Sequence, residues 1–91
     1  MSIIERIRLK VRNRDYYLSS HAEDEMVDDG FERADVENAL LKGVVQKKLT
    51  RDPRGIRYRV EGPANDARPM HVLCRFNETG SLVIITVYQK V

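Results

Sequence analysis

The sequence predicts an α+β domain in which N-terminal helices precede a four-stranded antiparallel sheet. Apolar residues recur at helical spacing up to Gly43 and alternate with polar ones after it. Helix-start signals cluster around Ser20, and the segments "DPRG" and "NETG" read as turns between runs rich in Val, Ile, Tyr and Phe. Runs of helix followed by runs of consecutively joined strands are the pattern of an α+β fold.

The first element, "IIERIRLKVRNR", carries two periods. Ile7, Leu9 and Val11 alternate with basic residues as in a strand, whereas Ile4, Ile7 and Val11 fall at helical spacing. Its Glu, Arg, Leu and Lys content favours the helix, which is the expectation. In "SSHAEDEM", Ser20 followed three residues later by Glu23 forms a capping box, and Glu23, Asp24 and Glu25 suit the positive end of a helix dipole. Ala22 and Met26 share one face, and Gly30 closes the helix. His21 is thereby expected at the first helical position, exposed at the helix mouth. A third helix is expected over residues 33–42, with Phe31 and Val36 spaced as a hydrophobic staple, Glu32 a weak N-cap and Gly43 as terminator.

Four strands follow: "VVQKKLTR", "IRYRVE", "MHVLCRF" and "LVIITVYQ", with "GPANDARP" as a loop. In the second, Ile56, Tyr58 and Val60 share one face and Arg57, Arg59 and Glu61 the other. A tight link centred on Glu78 and Thr79 places Cys74 opposite Val83, Val72 opposite Ile85 and Met70 opposite Val87, all on the core face. The other face then pairs His71 with Thr86, Leu73 with Ile84 and Arg75 with Leu82, and adds Tyr88, Arg57 and Arg59. Burial of one face is what fixes such a register.

Length and composition set the frame. Ninety-one residues make a single domain, 1–91, with 42% hydrophobic and 33% charged residues, ordinary for a soluble globular chain. A chain of this size buries roughly 60–65% of its unfolded surface, enough for a small core. The lone Cys74 excludes an internal disulfide and fits a reducing compartment. No apolar run has the length of a signal peptide or a membrane span, so a cytoplasmic location is expected.

A net charge of +2 conceals segregation. Residues 21–40 carry eight acids against Arg33 alone, while residues 41–59 carry Lys42, Lys47, Lys48, Arg51, Arg54, Arg57 and Arg59 against Asp52. Such blocks either pair across the fold or leave a basic face for a polyanion. Two histidines and one cysteine without close spacing make no zinc site, and neither a glycine-rich phosphate loop nor a G-x-S-x-G elbow is present. Cys74 falls on the expected core face, where cysteine behaves as a small hydrophobe.

The face bearing His71, Thr86, Tyr88, Arg57, Arg59 and Arg75 fits either a solvated sheet surface or a phosphate-handling one. Histidine moves protons near neutral pH and arginine grips phosphoryl oxygens. In the second case His71 is the central acid/base group, with His21 as its partner if the helix mouth abuts the sheet. Arg57, Arg59 or Arg75 would stabilise a pentacovalent phosphate, and Tyr88 would stack a base or orient a proton. A binding module without catalysis, or a purely structural domain, would use the same residues differently.

The segments "SSHAEDEM", "DGFERADVENALLKG", "DPRGIRYRVEG", "RPMHVLCRF" and "LVIITVYQ" resemble a family of small bacterial proteins catalogued as of unknown function. Its pattern runs S-x-H-A-x-x-R-M, then R-G-I, D-V, A-L and G, a strand with R-Y, then H-V-V and I-T-V-Y. The resemblance covers residues 19–90. It implies a barnase/RelE-like fold and a metal-independent, cofactor-free endoribonuclease, the RNA-cleaving toxin of a pair whose partner is a small antitoxin protein. The family's polar set falls on His21, Tyr58, His71, Thr86 and Tyr88. The chain departs from the pattern at Glu25, where the family has Arg, and at Asp29-Gly30, where it has Arg-Gly.

Overall fold

The computed structural model describes residues 1–91 and comprises three helices and a five-stranded sheet. Helix α1 (Ile3–Arg12) is opened by a capping box: Ser2 Oγ accepts the Glu5 N–H while Glu5 Oε1 accepts the Ser2 N–H. Its helical stripe wins over the alternating one, because Ile7 and Val11 are buried and Leu9 is not.

Strand β1 (Tyr16–Leu18) was not expected from the sequence. It runs parallel to the last strand, β5 (Leu82–Gln89), with Tyr16 beside Leu82 and Leu18 beside Ile84. The sheet therefore has five strands, not four, and is mixed, not purely antiparallel. Three residues are too few for a period-2 pattern to register, and the pairing runs between distant parts of the chain.

Helix α2 (Ser20–Asp29) begins one residue earlier than the Ser20 capping box implies. Ser19 is the N-cap, its Oγ accepting the Ala22 N–H at 3.0 Å. Ser20 is the first helical residue and His21 the second. Gly30, in the left-handed region at φ 69°, ends the helix as expected. Helix α3 (Arg33–Lys42) has the predicted bounds. Phe31 and Val36 are both buried, and the Asp35 carboxylate strengthens the weak Glu32 cap by accepting the Glu32 N–H.

Strands β2 (Val44–Leu49), β3 (Arg57–Pro63) and β4 (Pro69–Phe76) complete a sheet of order β1-β5-β4-β3-β2. Helices α1 and α3 cover one face. There Ile7, Val11, Val36, Ala39 and Leu40 close on Val60, Met70, Val72, Cys74, Leu82, Ile84 and Val87. A Cβ at Gly62 would collide with the Ala39 carbonyl, so the missing side chain sets how closely α3 approaches β3.

The β4–β5 register differs from the expected one. Val72 lies opposite Val87 and His71 opposite Tyr88, not Thr86, whereas Cys74 lies opposite Ile84. One residue of the difference comes from the five-residue link between Phe76 and Leu82, and a second from a β-bulge at Leu73/Cys74, where Ile85 is the extra residue on β5. Beyond the bulge Leu82 and Ile84 face the core, and Val83 and Ile85 do not. Ile56 lies outside β3 and is 42% exposed, so it does not join the core.

Candidate functional site

The sheet face without helices is built in rows by strand pairing. One row runs Val44, Glu61, His71, Tyr88; the next runs Lys47, Arg59, Leu73, Thr86. Alternation along β3 and β4 then places Arg57 and Arg75 further along the same face.

The first row is a hydrogen-bonded chain. His71 Nε2 lies 2.9 Å from Glu61 Oε1 and Nδ1 lies 3.1 Å from the Tyr88 hydroxyl. An ionised carboxylate only accepts, so Nε2 carries the proton toward Glu61, and Nδ1 of the neutral ring accepts from the phenol. The Tyr88 ring meets the imidazole edge-on, with centroids 5.2 Å apart. Lys90 Nζ brings a cation to 3.0 Å from the same Glu61 Oε1. The hydrogen bond from His71, and then that from Lys90, holds the Glu61 carboxyl below its ordinary range. His71 is itself only 8% exposed, whereas Glu61 and Tyr88 are half-buried.

Glu61 was not singled out in the sequence. Its signal was the alternation that put it on the same face as Arg57 and Arg59; which strand neighbour it would meet depended on the β3–β4 register, which pairs it with His71.

His21 does not join this row. Its imidazole is exposed and lies 3.2 Å from Glu25 Oε1, the same oxygen that accepts the Val87 N–H at 3.1 Å. Asp29 Oδ2 likewise accepts the Gln89 N–H at 3.0 Å. β1 pairs with β5 only as far as Ile84, and the acids of α2 take over beyond that point. Glu25 and Asp29, the departures from the family pattern, are thus acceptors for the free edge of β5. The two histidines share no partner.

Thr86 is half-buried on the open face opposite Leu73, without a bond to His71. Tyr58 is displaced from the set altogether. It faces the helix side, 7% exposed and edge-on to Phe76, because it shares the parity of Val60. It cannot contact a substrate on the open face. Arg59 donates from Nε to Gln46 Oε1 at 2.7 Å, and Arg57 Nε lies 3.2 Å from Asp52 Oδ2. Burial pushes the Cys74 thiol up to about 12, which removes it as a nucleophile. No group of three His, Cys, Asp or Glu side chains is placed to hold a metal ion, and no helix is long and apolar enough to cross a membrane.

Over residues 18–89 the sequence matches DUF4258, a domain of unknown function. The chain belongs to the DUF4258 family. The match runs from Leu18, the last residue of β1, to the end of β5, so the Glu61–His71–Tyr88 row and the α2 edge both lie within the family domain, while α1 and most of β1 lie outside it. No curated protein and no solved structure matches this DUF4258 chain.

Proposed function

We propose that this protein is a metal-independent endoribonuclease of barnase/RelE-like type, acting in the cytoplasm as the RNA-cleaving toxin of a bacterial pair restrained by a small antitoxin. The observation that carries this reading is the Tyr88–His71–Glu61 chain set beside Lys47 and Arg59 on an open sheet face. Tyr88 is the member that touches RNA. As its phenolic oxygen takes the ribose 2′-OH proton, its own proton passes to His71 Nδ1, and Glu61 stabilises the imidazolium formed. The 2′-oxygen attacks the adjacent phosphorus, the bond to the 5′-oxygen breaks, and the relay returns the proton to that leaving oxygen. The products are a 2′,3′-cyclic phosphate and a 5′-hydroxyl. Arg59 and Lys47 stabilise charge on the pentacovalent phosphate.

Incubation of single-stranded RNA with the protein in excess EDTA tests this. Cyclic-phosphate ends should form, and Tyr88→Phe and His71→Gln should each slow cleavage roughly 10²–10⁴-fold with the fold retained. Absence of cleavage by the wild type, or undiminished cleavage by both variants, would overturn it.

A second reading is favoured by one observation: both ring nitrogens of the 8%-exposed His71 are already engaged. Under it the same face binds RNA without cutting it. Salt-dependent affinity without cleavage selects this alternative.

A further inference from the structure

Further along the open face lies a separate cleft of about 270 Å³. Arg54, Arg57, Arg75 and Asp52 line it, over an apolar floor of Val83 and Ile85. The floor follows from the bulge, which turns Ile85 away from the core. Arg75 stands four residues from His71 on β4, or about 13 Å along the strand at ~3.3 Å per residue. The cleft is therefore not part of the proton-relay row.

Its charges do not balance within the chain. The pairing of Tyr58 with Cys74 puts Arg57 and Arg75 at neighbouring positions of adjacent strands, where like charges repel. One carboxylate answers three guanidiniums. Asp52 uses Oδ1 to accept the Arg54 backbone N–H at 2.8 Å and brings Oδ2 to 3.2 Å from Arg57 Nε. That approach lies off the N–H axis, so Arg57 Nε is shielded from solvent yet without a hydrogen bond. The side chains of Arg54 and Arg75 bond to nothing in the protein.

We propose that this cleft is a phosphate subsite, in which Arg54, Arg57 and Arg75 hold a backbone phosphate of single-stranded RNA remote from the reacting bond, and that the Asp52 carboxylate occupies the phosphate's place until RNA displaces it. The inference rests on the RNA reading of the open face but not on cleavage. Arginine forks bind phosphate oxygens in pairs, and an entering phosphate would give Arg57 Nε the acceptor it lacks. Asp52 has a double role: it lessens repulsion among the arginines in the free protein and competes with the ligand.

The test uses a short oligothymidylate, which has no 2′-OH and cannot be cleaved by the proposed route, with binding followed by fluorescence anisotropy across a salt series. Arg75→Gln should weaken binding about tenfold and lower the salt slope by about one. Asp52→Asn, which keeps the Oδ1 acceptor for Arg54, should tighten binding several-fold. Thymidine, which carries no phosphate, should bind both variants like the wild type. Equal Arg75→Gln losses with and without a 5′-phosphate would assign an internal phosphodiester. A loss seen only with the 5′-phosphate would overturn that part and assign a terminal monoester instead. Unchanged oligothymidylate binding in Arg75→Gln, or weaker binding in Asp52→Asn, would sink the subsite even if RNA is cleaved. The expected pattern in a protein that cuts no RNA would sustain the subsite and remove the nuclease reading.

Discussion

Glu25 Oε1 accepts the Val87 N–H at 3.1 Å, closing the part of the β5 edge that lies beyond its pairing with β1. A buried or half-buried amide that loses its acceptor costs about 1–3 kcal/mol. Glu25→Ala should lose stability in that range, whereas Glu25→Gln, which keeps an acceptor oxygen, should lose less. Urea denaturation measures both, and faster amide exchange at Val87 in the Ala variant locates the damage. Equal losses in the two variants would mean that the amide bond is not what Glu25 contributes.

Ser19 and Ser20 should part company. Ser19 Oγ caps α2 and also donates to the Ile85 carbonyl at 2.8 Å, tying the helix mouth to the bulge. Ser19→Ala should cost about 0.5–2 kcal/mol. Ser20→Ala and His21→Gln, at exposed positions of the first turn, should stay within about 0.5 kcal/mol. Thermal unfolding of the three variants decides. A large loss at Ser20 with none at Ser19 would return the cap to the position the sequence suggested.

At Gly62 no side chain fits between β3 and the Ala39 carbonyl. Gly62→Ala should therefore destabilise by about 1–3 kcal/mol through overpacking. Ala39→Gly in the same background leaves that carbonyl in place and should not restore stability. Recovery there would point to the Ala39 side chain, not its backbone, as the obstacle.

Acid should weaken the fold in part through Glu61. Its folded pKa lies below the ordinary value of 4.5, so its contribution is fully present above that pH. The contribution is lost as pH falls through the lowered folded value. Asp15, held down mainly by Ser81 and then Lys10, acts in the same direction. Stability measured from pH 6 downward should fall less steeply in Glu61→Gln than in the wild type. Parallel curves would show that His71 and Lys90 do not bias the carboxyl.

Much of this arrangement was legible from periodicity. Helical spacing of Ile4, Ile7 and Val11 foretold α1, and alternation put His71 and Tyr88 on the face opposite Cys74. What alternation could not supply was the offset between strands. The five-residue link between Phe76 and Leu82 shifted the hairpin by one position, which sent Ile84 to the core in place of Ile85, and the extra residue Ile85 shifted it by a second, which left Tyr88, not Thr86, opposite His71. Tyr58 shows the opposite failing. Its parity with Val60 already placed it inside, and only the family resemblance set it among the polar site residues. The acids of α2 read as dipole partners by composition, and their role as edge acceptors required the tertiary approach of α2 to β5.

The pairing of the first strand with the last has a consequence for how the chain assembles. Ser19 Oγ and the Ile85 carbonyl are 66 residues apart in sequence, and β1, α2 and β5 meet only across such separations. Closing loops of this length is unfavourable until many contacts form together, which raises contact order and slows folding. During synthesis, β2, β3 and β4 can pair as they emerge, but α2 lacks its acceptor-seeking amides until β5 has left the ribosome. The final hairpin thus acts as the latch, and a nascent chain waiting for it exposes the β4 edge and the apolar side of Met70, Val72 and Cys74.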